Sequence, residues 1–190
     1  VALVYSGGLL FDALQIIVSS FLLKQWVTMP QKSYDILAVG NAIIDVFIQC
    51  DDDFLQQHAI EKGGMNLIDA AASQSLLEAI STDASPQFIS GGSAANTAVG
   101  LAALGGKAAF VGRVHDDELG AAFCRDIKAA GVTFAATPAV KGAPTASSII
   151  LVTPDAARSM NTFLGASIEF QPEDINLAAA ADASVIYLEG

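Results

Sequence analysis

The stretch from Gly91 to Gly106, GGSAANTAVGLAALGG, limits the fold more than any other part of the chain. A glycine pair closes an apolar, strand-like run, a polar residue follows, and small apolar residues then continue at helical density to a second glycine pair. The pattern predicts a strand, a tight turn and a helix. Glycines at 91 and 92 allow positive φ and let another molecule approach the backbone closely. A helix of small residues can lie close against a sheet, and open α/β sheets bind ligands at the carboxyl ends of their strands. Asn96, about one turn into the helix, is expected to point toward the mouth of the turn. Glycine-bounded αβ units also serve as plain scaffolding, so these residues alone leave binding and structural roles both open.

Two phosphate-loop patterns fail. G-x-G-x-x-G does not occur here, which makes a dinucleotide-dependent oxidoreductase a poor reading. The segment from Gly100 to Lys107 misses G-x-x-x-x-G-K-[ST] and would end a helix, whereas a phosphate cradle opens one.

On the same residues, GGSAANTAVGLAALGGKAAFVGRVHDDELG resembles the first signature of the PfkB (ribokinase) family of carbohydrate and nucleoside kinases, nearest to its adenosine-kinase-like branch. The spacing Gly-Gly-x-Ala-x-Asn-x-Ala followed by Gly105 is met, and His115 stands where the family pattern has a glycine. A left-handed backbone there would be strained as histidine. The resemblance implies a ribokinase-like three-layer αβα sandwich, Rossmann-like with a mainly parallel sheet and a small β-lid, here truncated. It also implies ATP-dependent phosphorylation of a hydroxymethyl group, with Mg2+ accompanying ATP in the complete enzyme. The acceptor is a nucleoside or a sugar. Ser93 after the glycine pair and the soft apolar residues Met65, Leu67, Met160 and Phe163 favour an adenosine-like nucleoside over fructose, ribose or 2-keto-3-deoxygluconate. A non-catalytic small-molecule-binding module built on the same pocket is the rival from another class.

Several residues gain expected roles. Asp45 lies among Ile43, Ile44, Val46 and Phe47, where a carboxylate is costly unless paired. It follows Asn41 in an Asn-x-x-x-Asp pattern whose aspartate, by the resemblance, accepts hydrogen bonds from substrate hydroxyls. The substrate-binding set is then Asn41, Asp45, Gly64, Gly91, Gly92, Ser93, Asn96 and Arg158, the last either a surface charge on a hairpin or a residue that closes over substrate. Lid segments are expected near 43–68 and 145–166. The second family motif, with the catalytic base and most of the ATP site, is expected beyond residue 190. No catalytic residue is therefore assigned, and this stretch alone is expected to be inactive.

Composition narrows the partners. With 53% hydrophobic and 15% charged residues the chain can bury a sizeable core. Its net charge of -11 argues against nucleic acid or an anionic membrane as partner. Cys50 and Cys124 offer neither a disulfide framework nor a metal spacing, and His58 and His115 are isolated, so no metal site is expected. A cytoplasmic setting fits, and a homodimer through the lid is among the arrangements the resemblance allows. Residues 1–28 break the pattern: their apolar run is shorter than the ~20 residues of a membrane span, and they are expected to be a leader or non-native segment, with the kinase-like portion occupying 29–190.

The rest reads as alternating elements. Asp69 is expected to cap a helix to about Ile80 that buries Leu76, Leu77 and Ile80. Asp116 or Asp117 caps another ending at Gly131. Pro172 begins a final helix before an apolar strand at 184–188.

Overall fold

The computed structural model describes residues 32–80 and 85–189. The expectations for residues 1–28 lie outside the described residues. From Ser33 onward the chain forms one compact unit built on two sheets.

The first sheet has four strands, all parallel, in the order β6-β5-β1-β9: β1 (Tyr34–Val39), β5 (Ala108–Val111), β6 (Thr133–Phe134) and β9 (Ala183–Leu188). Its strands carry small and β-branched residues because helices cover both faces. Helix α3 (Ser93–Ala103) packs on β1 and β5 through Ala94, Ala95 and Ala98, and α4 (Glu118–Ala129) adds Phe123 and Ile127 to the same core. Across the sheet, Leu37, Ala109 and Val111 meet Ala179 of the short helix α5 (Leu177–Ala181). That is the expected αβα layering with a parallel sheet.

The second sheet has five strands in the order β3-β8-β7-β2-β4: β2 (Ile43–Gln49), β3 (Met65–Leu67), β4 (Gln87–Gly91), β7 (Ala146–Val152) and β8 (Arg158–Phe163). β2 and β7 run parallel over seven residue pairs, while β2/β4 and β7/β8 are antiparallel. This sheet includes both expected lid segments and also recruits β4, the strand that feeds the glycine turn. Strand alternation sorts its faces. Ile44, Val46, Ile48, Ile149 and Leu151 point into the core shared with α3 and α4, and Asp45 stands on the opposite, open face.

Local signals set the helix starts. Asp51, Asp69 and Asp117 each accept a backbone N–H in the first turn of the helix that follows: α1 (Asp52–Gln57), α2 (Ala70–Ala79) and α4. In α2, Leu76 is buried and Ile80 packs against the core, but Leu77 is 41% exposed. The buried stripe is completed by Ser73, because α2 packs on β8 along only a narrow strip. Pro172 opens a single 3-10 turn over Pro172–Asp174, and the α-helix starts only after the Asn176 cap.

His115 causes no left-handed strain. Among the described non-glycine residues only Ala59 and Ala156 have positive φ. The His115 backbone instead bridges Ala139, and its N–H donates to Thr145 Oγ1. Asp117 anchors this corner. Burial opposes its ionisation, but hydrogen bonds from the Thr145 and Gly120 amides and the Thr145 hydroxyl outweigh that and hold its carboxyl below the usual range.

Candidate functional site

The glycine turn joins the two sheets, since β4 of the open-faced sheet ends at Gly91 and α3 of the layered sheet begins at Ser93. Gly92 caps α3 with φ +102, and a Cβ there would collide with the carbonyl of Asn41. Asn41 therefore contributes its backbone, packed against the turn. At Gly91 a Cβ would come within 2.5 Å of an Asp45 carboxylate oxygen. β2 pairs Ile43 with Gly91, so Asp45, two residues further along, leans back over the glycine. At Gly92 both φ and the Asn41 backbone demand glycine, whereas at Gly91 a side chain would have to displace the Asp45 carboxylate.

Asp45 is half-buried, burial raises its pKa, and among the described residues no hydrogen bond or opposite charge acts against it. A carboxylate kept in such a place has acceptor positions to offer an incoming pair of hydroxyls.

The sequence reading missed a second carboxylate. Glu189 follows the carboxyl end of β9, where its N–H donates to the Val39 carbonyl. The Tyr187 hydroxyl donates to Glu189 Oε2 at 2.6 Å. That bond, with the Ser93 side chain nearby as a lesser influence, holds Glu189 below the usual carboxylate range. A Cβ at Gly40 would meet the Glu189 carbonyl at 2.5 Å, so residue 189 sits against the same junction. The one available signal was a lone acidic residue closing the last apolar strand.

The remaining expected residues divide. Ser93, exposed in the first turn of α3, belongs to the cluster through Glu189. Asn96 lines a groove of about 240 Å³ with Phe88, Ile89 and Ser90, along the edge strand that also carries Gly91. Gly64 sits at the start of β3, where its carbonyl accepts the Met160 amide, and the left-handed turn beside it belongs to Gly63, at φ +76. Arg158 lies on the Asp45 face but is not brought to the cluster. It pairs with Val152, four residues along β8 from Thr162, which is about 13 Å of strand. Of the apolar lid residues, Met65, Leu67 and Met160 share the Asp45 face, with Met65 60% and Leu67 63% exposed, whereas Phe163 pairs with Ser147 on the other face.

A cavity of about 250 Å³ lies at the carboxyl ends of β5 and β6, where Arg113 donates two hydrogen bonds to Asp174. Its walls include none of the expected site residues. No helix among the described residues is long and apolar enough to cross a membrane.

Comparison with known proteins agrees with this architecture. The pfkB family carbohydrate kinase profile matches residues 57–190. A "probable sugar kinase" from Rhizobium etli CFN 42 is 47% identical, with a TM-score of 0.74 over 83% of this chain and 47% of its own. An adenosine kinase from Sinorhizobium meliloti is also 47% identical, with a TM-score of 0.73 over 82% and 47% of the two chains. "Probable fructokinase-4" from Arabidopsis thaliana is 33% identical over 106 residues, 54% of this chain and 32% of that protein. The chain thus spans just under half of the solved relatives and about a third of the curated one. With the profile matched over most of its length and the fold shared with close relatives, the chain belongs to the PfkB family of carbohydrate kinases.

Proposed function

We propose that the protein carrying this chain transfers a phosphoryl group from ATP, with Mg2+, to a hydroxymethyl group of a sugar or nucleoside, and that this chain supplies the acceptor site. The observation that carries the reading is the Asp45 carboxylate seated over Gly91 without a partner to neutralise it. Around it, Gly92 removes the steric bar to close approach, and Glu189, hydrogen-bonded by Tyr187, supplies a second acceptor. Two carboxylates beside a bare glycine turn suit a polyhydroxylated acceptor. Relatives with 47% identity include both a sugar kinase and an adenosine kinase, which leaves both acceptor classes within the proposal.

These residues bind and orient. Held by its neighbouring hydroxyls, the reactive one is positioned for in-line attack, the main contribution a protein makes to phosphoryl transfer. The described residues include no group of three side chains able to hold a metal ion. The exposed face of Met65, Leu67 and Met160 is also the surface through which we would place a homodimer contact.

Asp45→Ala in the full-length protein tests the reading. Hydrogen bonds to a charged group are worth about 1.5–3 kcal/mol, so acceptor KM should rise roughly ten- to a hundredfold while the KM for ATP stays within about twofold. A change in the ATP constant alone would displace the acceptor site from Asp45.

A further inference from the structure

The rung that carries Asp45 continues into hydroxyls. Register places Ile89, Asp45, Ser148, Thr162 and Leu67 side by side across all five strands, on the face opposite the core of α3 and α4. Ser148 Oγ and Thr162 Oγ1 lie 2.8 Å apart, and the two residues are only 4% and 8% exposed. Burying hydroxyls is costly unless they find partners, and an Ala–Val pair would fill this place without that cost. Each hydroxyl can donate one hydrogen bond and accept two. Their mutual bond uses one donor and one acceptor position, so one proton and several lone pairs remain for a ligand lying across the rung.

Resting on the acceptor placement proposed above, we infer that Ser148 and Thr162 are specificity-determining residues that receive a further hydroxyl of the acceptor, which makes the preferred acceptor a free sugar and not a nucleoside. Adjacent strands are ~4.8 Å apart, so a ligand whose diol sits on Asp45 reaches Ser148 within the width of one sugar ring. A sugar presents hydroxyls along that width. An aromatic base in the same position would set its π-face on two polar groups and leave them without partners. The apolar residues of this face begin one strand further out, at Leu67 and Met65 on β3, where they form a rim.

The test uses the full-length protein and two variants, Thr162→Val, which keeps the side-chain shape, and Ser148→Ala. Binding is measured by calorimetry, and kcat/KM with ATP, for fructose, ribose and adenosine. The wild type should favour a free sugar. Either variant should lower sugar affinity and kcat/KM about tenfold, the scale expected for a site hydroxyl that bonds a substrate hydroxyl, with adenosine unchanged or improved. Thr162→Ser should restore the sugar. The inference is overturned if both acceptor classes fall together, if the wild type prefers adenosine tenfold, or if neither sugar binds. Should Thr162→Val not fold, Ser148→Ala decides by the same criteria. Sugar binding that depends on these hydroxyls without phosphoryl transfer would refute the kinase reading and leave this one standing.

Discussion

The two sheets solve the same problem of burying strands in opposite ways. In the parallel sheet, β5 is buried along its whole length, Ala108 to Val111, and β1 sends Ala38 to one core and Leu37 to the other. Every side chain of β5 is committed to packing. The five-stranded sheet commits one face to the core and leaves the other to carry a half-buried aspartate, two paired hydroxyls and exposed apolar residues. The first arrangement favours stability, the second leaves polar groups for the proposed acceptor site, and the glycine turn joins them. The parallel sheet also has an open side: Val185, Ile186 and Leu188 of its edge strand β9 are exposed, a surface that invites further pairing.

This contrast predicts where substitutions act. The largest effect belongs to the parallel sheet. Phe110 is fully buried and packs against Phe123 and Phe134 at centroid distances of 5.7 and 6.3 Å. Phe110→Ala should cost about 3–5 kcal/mol, measured by denaturant unfolding, and should abolish binding only by unfolding the protein. A stable but inactive Phe110→Ala protein would break the division between the sheets.

Gly92→Ala comes next, since it imposes both φ strain and a clash with the Asn41 carbonyl. A loss of about 1–3 kcal/mol in stability is expected, together with a loss of acceptor binding larger than Phe110→Ala produces at equal stability. Isothermal titration under native conditions separates the two contributions.

Asp45→Asn should act in opposite directions on stability and function. Burial raises the native pKa of Asp45 above its unfolded value, so between those two values the native state holds more protons, and this group's cost to stability grows as pH rises through the window. At neutral pH the variant should melt about 1–2 °C higher, a modest gain because water screens a half-exposed carboxylate. The gain should vanish near pH 3, where both proteins are neutral at this position. A variant that melts lower at pH 7 would mean that the carboxylate has a stabilising partner.

The smallest effect is expected far from the turn. Lys62 Nζ bridges Asp52 at 2.6 Å and Asp155 at 2.8 Å, fastening the loop before β3 to the β7–β8 hairpin. Next to it, the Gly63 amide donates to Ser159 Oγ at 2.9 Å. Lys62→Ala should leave the thermal midpoint unmoved but speed amide exchange at Gly63 severalfold at low salt. High salt, by screening the exposed pairs, should bring the wild type toward the variant. Unchanged exchange would show that the hairpin needs no such fastening.

Much of what depends on near neighbours was legible in the amino-acid sequence, though Pro172 opened a 3-10 turn where a helix was expected. The aspartate caps at 69 and 117, the strand–turn–helix at Gly91 and the alternation implying parallel units all follow from residues within a few positions of one another. The Asp45 and glycine core of the site was legible for the same reason, as an acidic residue out of place in an apolar run and a glycine pair ending another. Tertiary structure decided the rest. β4 pairs antiparallel with β2, Ser148 meets Thr162, and Glu189 reaches Ser93 from 96 positions away, because strand register and packing bring them together. Register likewise carried Arg158 away from the turn and put Phe163 on the face opposite Met160. A shift of one residue in any of these pairings would exchange the faces of a strand. The energy that forbids it comes from the core on the other side of the sheet, which no local stretch of sequence contains.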